Sequence, residues 1–158
     1  MPSKIRLGAV LALIFIAGAA RVPSANAASG DACSLLTQAQ ISAALSVSVG
    51  AGQYQGTYRK TCTWYTTSNT AEGAKYVTLV LQGLDAFQAG KLAPVKTIVV
   101  TPVSGIGDDA YYLAVGPNVG LIVKKGNAAF KVAVYGPLPL EKKQAMEKTL
   151  ALQIVSSL

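Results

Sequence analysis

The chain has 158 residues, 51% of them hydrophobic, and its 14 Lys and Arg against seven Asp and Glu give a net charge of +7. It contains no histidine, which excludes Ser-His-Asp and Cys-His catalytic arrangements and zinc sites built on imidazole. The basic residues occur as scattered doublets rather than as a stripe interleaved with aromatics, so the sequence does not predict nucleic-acid binding.

The N-terminal residues have the pattern of an export signal. Lys4 and Arg6 precede an apolar run at 7–20, and "VPSANA" then supplies a Pro break and an A-x-A site. The run of about 14 residues fits a signal-peptide core and is short of the roughly 20 that a spanning helix needs. We predict cleavage after Ala27, leaving 28–158 as a single domain in the periplasm or outside the cell, with no stable membrane insertion. The alternative is an uncleaved N-terminal anchor.

Export bears directly on the two cysteines, Cys33 and Cys62. In an oxidising compartment a pair of cysteines is expected to form a disulfide. The alternative, a catalytic thiolate, lacks the histidine that usually activates it.

The first predicted helix follows Cys33 in "SLLTQAQISAALSV". Thr37 is a good N-cap, and Gln40 three residues on completes a capping box. Leu36 and Ile41 are spaced as a hydrophobic staple across this helix start.

Strand patterns occupy most of the middle of the chain. "GAGQYQGTY" is glycine-rich and predicts a loop or weak edge strand, whereas "KTCTWYTT" predicts a strand with Cys62 and Trp64 on one face. Core packing is the favoured role of Trp64, with ligand binding as the alternative. After a loop in "TSNTAEGA", "KYVTLVLQ" predicts a second strand and "LDAFQAGK" a short helix.

The C-terminal half continues this pattern. "VKTIVVTPV" is β-rich, with Pro94 and Pro102 marking its limits, and "AYYLAV" follows. Two apolar strands around Gly126-Asn127 predict a hairpin. The last 22 residues predict an amphipathic helix with an apolar stripe. The stripe comprises Met146, Leu150, Ile154 and Leu158, and leaves Lys142, Lys143, Glu147 and Lys148 off it.

This order of elements predicts an α+β fold. We expect an antiparallel sheet of about five to seven strands, with the N- and C-terminal helices covering one face and the more polar face turned outward or curled around a cavity.

The run "GIGDDAYY" at 105–112 is the most motif-like part of the chain. The adjacent carboxylates of Asp108 and Asp109 would repel a phosphate, and the run precedes a strand instead of a helix. A calcium loop's alternating acids and distal Glu are missing, which leaves a weak exposed cation site as an alternative. We favour a tight turn in which Gly105 and Gly107 supply positive φ and Asp108 caps its own turn.

Asp108, Asp109, Tyr111 and Tyr112 are the candidate binding residues. The two tyrosines point to opposite faces of a strand, so we expect one in the core and one exposed. Amphipathic rings of this kind suit a peptide, a glycan or a small apolar ligand, but are also ordinary in half-buried strands. The residues predict no catalytic constellation, no metal site and no cofactor.

Cys33 with "SLLTQAQISAAL", "CTW" at 62–64 and "GIGDDAYY" together resemble a loose group of small exported bacterial cell-envelope proteins and lipoproteins. That group shares a C-x-L-L-T helix start, a C-x-W strand and a G-x-G-D-x-A-Y turn, and is best represented among actinobacterial lipoproteins of unknown function. The resemblance spans nearly the whole mature chain and implies a fold and a compartment, without a substrate or catalytic residue. This chain differs in lacking a lipobox before Cys33.

These observations predict an exported, non-enzymatic binding or accessory protein of the cell envelope, with an unidentified protein, peptide or glycan as partner. Inhibition of a secreted hydrolase is a variant of this hypothesis. The alternative is a small acid-base hydrolase of envelope or glycan substrates, built on Asp108 or Asp109 and a distant carboxylate.

Overall fold

The computed structural model describes residues 30–67, 75–92 and 95–158. The predicted export signal, most of the loop predicted at 67–74, and Pro94 lie outside the described residues. A short 3-10 turn, Ala32–Ser34, precedes the first helix. The helices are α1 (Gln38–Leu45), α2 (Leu84–Lys91) and α3 (Leu140–Ser157), and the strands are β1 (Gln53–Tyr54), β2 (Thr61–Tyr65), β3 (Tyr76–Gln82), β4 (Ile98–Val103), β5 (Asp109–Val115), β6 (Asn118–Lys125) and β7 (Ala128–Tyr135).

The strands within these described ranges form one seven-stranded antiparallel sheet in the order β1-β2-β3-β7-β6-β5-β4. The chain builds β1 to β3 as one meander, crosses through α2 to the far edge, and returns through β4 to β7 until β7 pairs with β3. The predicted α+β class and antiparallel sheet are confirmed. This return places the β6–β7 hairpin beside the end of β3, although the two segments are far apart in the chain.

The main core lies on the face of the sheet that α1 and α3 cover. Alternating strand residues point to this face, as period-2 side-chain geometry requires. Ile41 and Leu45 of α1 and Leu150 and Ile154 of α3 are buried in the same cluster as these strand residues. The strand members include Cys62, Trp64, Val77, Leu79, Leu121, Val123, Phe130, Val132 and Val134. The prediction that both terminal helices pack on one face is confirmed.

The opposite face carries a second, smaller core under α2. Phe87 of α2 is buried with Tyr111, Ile122 and Ala129, and its ring centroid lies 5.2 Å from that of Tyr111. Ile122 belongs to this cluster and its neighbour Leu121 to the main core, so β6 is apolar on both sides. The expected outward polar face is therefore covered in part, because the cross-over helix lies on it.

The buried stripe of α3 differs from the prediction. Lys143 and Glu147, placed off the stripe, are both buried, whereas Leu158 is exposed. One face of α3 carries all of its buried positions, which are 143, 147, 150, 151 and 154. The N-terminal part of this face is charged, and a search for apolar residues alone does not reveal it.

The helix start and the cysteine pair follow the sequence signals. The Gln40 backbone N–H donates to Thr37 Oγ1 (3.2 Å), and the Thr37 N–H donates to Gln40 Oε1 (2.8 Å), which completes the capping box. Cys33 and Cys62 form a disulfide with their Cα atoms 5.1 Å apart. Trp64 is buried in the same core, so its predicted packing role is confirmed.

Pro102 lies inside β4 rather than at its limit. The sheet tolerates it there because β4 is an edge strand, where a residue without an N–H need not remove a ladder bond. Among the described helices, none combines the length and apolar character that crossing a membrane requires.

Gly52 packs against the disulfide, and this contact yields a stability prediction. A Cβ at Gly52 would lie 2.7 Å from both Cys62 Sγ and Trp64 Nε1, closer than real side chains approach. Neither neighbour is a flexible side-chain end, so we expect Gly52→Ala to lower the free energy of unfolding by about 1–3 kcal/mol. Gly50→Ala is the matched control, since its Cβ would make ordinary contacts at 3.9 Å. Urea denaturation of both variants checks this, and equal stabilities would contradict it.

Candidate functional site

The glycine turn before β5 is pressed against the end of β6. Gly105 and Gly107 have φ values of +79° and +59°, as predicted. The Asp108 backbone N–H donates to the Lys124 carbonyl (2.9 Å), and a Cβ at Gly107 would collide with that same carbonyl oxygen. The two glycines therefore allow the turn to lie directly on the neighbouring strand.

Asp108 binds a different hairpin from its own. Its carboxylate accepts from the Gly126 N–H (2.7 Å) and from Lys125 Nζ (3.0 Å), both in the β6–β7 hairpin. The Gly126 N–H, followed by Lys125, holds the pKa of Asp108 below its ordinary value. The expectation that Asp108 caps its own turn is wrong, because the turn packs beside that hairpin and finds donors there.

Asp109 makes a separate connection. Its carboxylate forms an ion pair with Lys91 Nζ, which joins the start of β5 to the end of α2. Both side chains are partly exposed, so the pair contributes little to stability.

Tyr111 and Tyr112 tie the sheet to helices on its two faces. Tyr111 is fully buried and its hydroxyl donates to the Phe87 carbonyl of α2 (2.7 Å). The Tyr112 hydroxyl donates to the Gln144 carbonyl of α3 (2.8 Å). Burial raises the pKa of Tyr111, and burial followed by the charge of Glu147 raises the pKa of Tyr112 to about 12. The opposite-face prediction is confirmed, but Tyr112 is half-buried under α3 rather than exposed.

The four candidate residues thus do not converge on one site. Asp108 contacts the β6–β7 hairpin, Asp109 and Tyr111 contact α2, and Tyr112 contacts α3. Asp108 alone is adjacent to a cavity, because both of its partners line one.

This cavity, which we call the sheet-end pocket, has a volume of about 450 Å³ and lies where β3, the β6–β7 hairpin and the end of α3 meet. Leu81 and Phe130 are direct partners in the β3–β7 register, and Leu35 and Leu158 add apolar walls. Its lining is completed by Gly30, Gln82, Lys125, Gly126, Asn127, Ala128 and Ala129. No local sequence pattern indicates this pocket beyond the hairpin itself, since its walls come from four distant segments.

Gln82 is among the lining residues, but its side chain lies on the α2 face, because its strand partner Ala129 belongs to the small core under α2 while Leu81 faces the main core. Its Nε2 atom is buried and makes no hydrogen bond in the structure. Leaving a buried amide donor unpaired costs about 1–3 kcal/mol, so buried amide groups usually donate to a hydrogen-bond acceptor. Lys125, another lining residue, is paired with Asp108, and both side chains are partly exposed.

Tyrosines also form a ladder on the α2 face of the sheet, away from the pocket. Tyr65, Tyr76 and Tyr135 are direct cross-strand partners on β2, β3 and β7. Their ring centroids are 5.5 Å apart for the first pair and 4.6 Å for the second, which is stacked. Tyr65 is 44% exposed, so this ladder presents an aromatic surface at one edge.

Among the acids of the described residues, Glu147 has the pKa that is shifted furthest from its ordinary value. The apolar pattern of α3 did not indicate it. Its side chain is fully buried, Oε1 accepts from the Val134 N–H (2.9 Å), and Oε2 has no partner. Burial is the main cause that raises its pKa to about 7, although the Val134 N–H, Lys131 and Lys143 all favour the charged form. The Lys143 ammonium itself donates to the Pro117 carbonyl (3.1 Å).

Within 30–67, 75–92 and 95–158, no three His, Cys, Asp or Glu side chains cluster in a way that could hold a metal ion. No family model, curated protein or solved structure matches this chain. The resemblance to exported envelope proteins therefore stays a prediction that rests on its quoted motifs.

Proposed function

We propose that the chain is an exported, non-enzymatic binding protein of the cell envelope, and that it holds a small ligand in the sheet-end pocket. The observation that carries this proposal is a cavity of about 450 Å³ at the end of the sheet, with walls that are mostly apolar. Ligand pockets of this volume, mostly apolar with few polar groups, are typical of small-molecule sites. The export pattern and the Cys33–Cys62 disulfide support the compartment.

Asp108 is a positioning residue in this proposal. Through Gly126 and Lys125 it anchors the hairpin that forms one wall of the pocket. This gives the "GIGDD" run a functional reason without contact between its own carboxylate and the ligand.

The electrostatics favour binding over the hydrolase alternative. A glycosidase-type general acid needs a raised pKa, and the Gly126 N–H and Lys125 lower that of Asp108. Glu147 has a raised pKa but is fully buried between α3 and the sheet, where no substrate reaches it.

Filling the pocket should weaken binding strongly. We expect methyl octanoate, titrated into ¹⁵N-labelled protein, to shift the amide signals of the pocket residues. Ala128→Phe places a ring in the cavity and should lower the affinity at least tenfold, because the apolar walls are then covered. Ala114→Phe, at a half-buried β5 alanine that does not line the pocket, is the matched control and should bind as the wild type does.

Binding that survives Ala128→Phe would contradict the assignment. Shifts confined to Tyr65, Tyr76 and Tyr135 would move the ligand site to the tyrosine ladder instead, which suits the glycan or peptide partner predicted from the sequence.

A further inference from the structure

We infer that Glu147 acts as a pH-sensitive latch, which holds the first half of α3 (residues 140–147) on the sheet while its carboxyl group is protonated and favours release of that half once the group is ionised. This inference concerns the helix and does not depend on a ligand in the sheet-end pocket.

The Glu147 carboxyl group lies where the pairing of β6 with β7 ends. That pairing runs from the hairpin as far as Val132, and Val134 lies two residues beyond it. The Val134 N–H donates to Glu147 Oε1 (2.9 Å), so the carboxyl group serves as the acceptor that a paired strand would otherwise supply. One helical turn earlier, Lys143 Nζ donates to the Pro117 carbonyl in the turn between β5 and β6 (3.1 Å). The two side chains thus attach the first half of α3 to the backbone of the sheet.

The two halves of α3 are held by different kinds of contact. In the first half, Glu147 and Lys143 are buried and bind backbone groups. Next to them, the Gln144 carbonyl accepts from the Tyr112 hydroxyl (2.8 Å). The second half packs through fully buried apolar side chains of the main core, which are Leu150, Ala151 and Ile154. Because all of these lie beyond Glu147, the first half opens without carrying the second half with it.

Ionisation of Glu147 favours this opening because the buried carboxylate has a single hydrogen-bond donor. The side chain is 0% exposed, and Oε2 has no partner among the described residues. A protonated carboxyl group is tolerated there, whereas an ionised one loses its hydration and keeps only the Val134 N–H. Opening of residues 140–147 returns the carboxylate to water. It also uncovers Tyr112 and Met146, which pack against the main core in the closed helix.

The ionisable groups of the neighbouring elements do not reverse this preference. Burial is the main influence on Glu147 and raises its pKa to about 7, although Lys131 on β7 and Lys143 on α3 favour the ionised form. Tyr112 on β5 and Tyr135 on β7 have raised pKa values, so both phenols stay neutral in this range. Helix α1 has no ionisable side chain, and the lysines of β6 lie at its far end, next to the hairpin.

The pH dependence follows from the pKa of Glu147 in the two forms. This pKa is about 7 in the closed helix and returns to its ordinary value of 4.5 when the group is in water. Between these values the closed form holds a proton that the open form has released, so a rise in pH favours opening. From pH 5.5 to pH 8 the equilibrium constant for opening should increase about 20–30-fold, and most of this increase should be complete near pH 7.

Hydrogen exchange of backbone amides, measured at pH 5.5 and pH 8 and corrected for intrinsic exchange rates, tests the latch. We expect residues 144–147 to lose protection about 20–30-fold between the two pH values, and to be at least tenfold less protected than the amides of β3 at pH 8. In Glu147→Gln the first half should stay closed, so the same amides should lose less than threefold. Glu141→Gln, at the exposed first turn of α3, is the matched control and should behave as the wild type does.

The outcomes separate a local latch from a general loss of stability. If residues 144–147 are protected as strongly as β3 at both pH values, α3 opens only when the whole protein unfolds, and the inference is overturned. Protection of these residues that does not change between pH 5.5 and pH 8 overturns it as well, as does a loss of protection that persists in Glu147→Gln. The comparison of residues 144–147 with β3 in the wild-type protein decides the question even where a variant fails to fold.

Discussion

Glu147→Gln is expected to make this protein more stable at pH 8, by about 1–2 kcal/mol, and to flatten the dependence of its stability on pH. A buried carboxylate resists ionisation because the charge loses its hydration, and here burial raises the pKa from 4.5 to about 7. One oxygen retains the Val134 N–H, but the other has no partner. A neutral glutamine keeps the first hydrogen bond and avoids the charge, although its amide nitrogen then takes the place of the unpartnered oxygen, which offsets part of the gain.

The sign of the effect follows from proton linkage. Between about pH 4.5 and pH 7 the folded protein holds the Glu147 proton that the unfolded chain has released, so raising the pH favours unfolding. The wild-type protein should therefore be most stable near or below pH 4.5 with respect to this group, and should lose about 3 kcal/mol by pH 8.

The same window is free of most other titrating side chains. The chain has no histidine. Asp31 and Asp108 have lowered pKa values, so their contributions to the free energy of unfolding change only below about pH 4. The tyrosines with raised pKa values titrate above pH 10; they are Tyr111, Tyr112 and Tyr135. Urea denaturation at pH 4.5, 6, 7 and 8 tests the prediction, with Glu141→Gln at the exposed first turn of α3 as control. A wild-type stability that is flat or rises from pH 5 to pH 8 would show that Glu147 is not buried as a neutral acid.

Removing the disulfide is expected to lower the free energy of unfolding by about 3–4 kcal/mol. The bridge joins residues 29 apart, and closing a loop of that length restricts the unfolded chain by roughly this amount. Cys33→Ala with Cys62→Ala is the suitable double variant, because Cys62 is fully buried and a serine there would bring an unpaired hydroxyl into the core.

Wild-type protein kept reduced with dithiothreitol supplies the matched comparison, since it loses the covalent bond while keeping both sulfur atoms. Urea denaturation of the oxidised, reduced and double-variant proteins should place the last two together, well below the first. A loss under 1 kcal/mol in the reduced protein would mean that the packing of Trp64, Gly52 and the surrounding core holds this end of the sheet without the bridge.

Features that depend on neighbouring residues were predictable from the sequence. The capping box of Thr37 and Gln40, the alternation in β3, and the hairpin at Gly126-Asn127 each require only a few consecutive residues. The pairing of Cys33 with Cys62 was predictable as well, because the chain offers no other cysteine.

Features that depend on strand order were not predictable. Nothing in the local sequence indicates that β3 pairs with β7, and this pairing alone brings Leu81 and Gln82 to Phe130 and Ala129. The partner of Asp108 was missed for the same reason, because the β6–β7 hairpin lies beside its turn only in the folded sheet. Lys143 and Glu147 escaped notice because charged residues are expected on the solvent side of a helix.

The most direct test of the central claim is the detection of intermolecular nuclear Overhauser effects between bound methyl octanoate and the protein. We expect contacts from the octanoyl chain to the methyl groups of Leu35, Leu81 and Leu158, which line the pocket. Contacts confined to Tyr65, Tyr76 and Tyr135, or to no fixed set of side chains, would contradict the assignment of the sheet-end pocket as the ligand site.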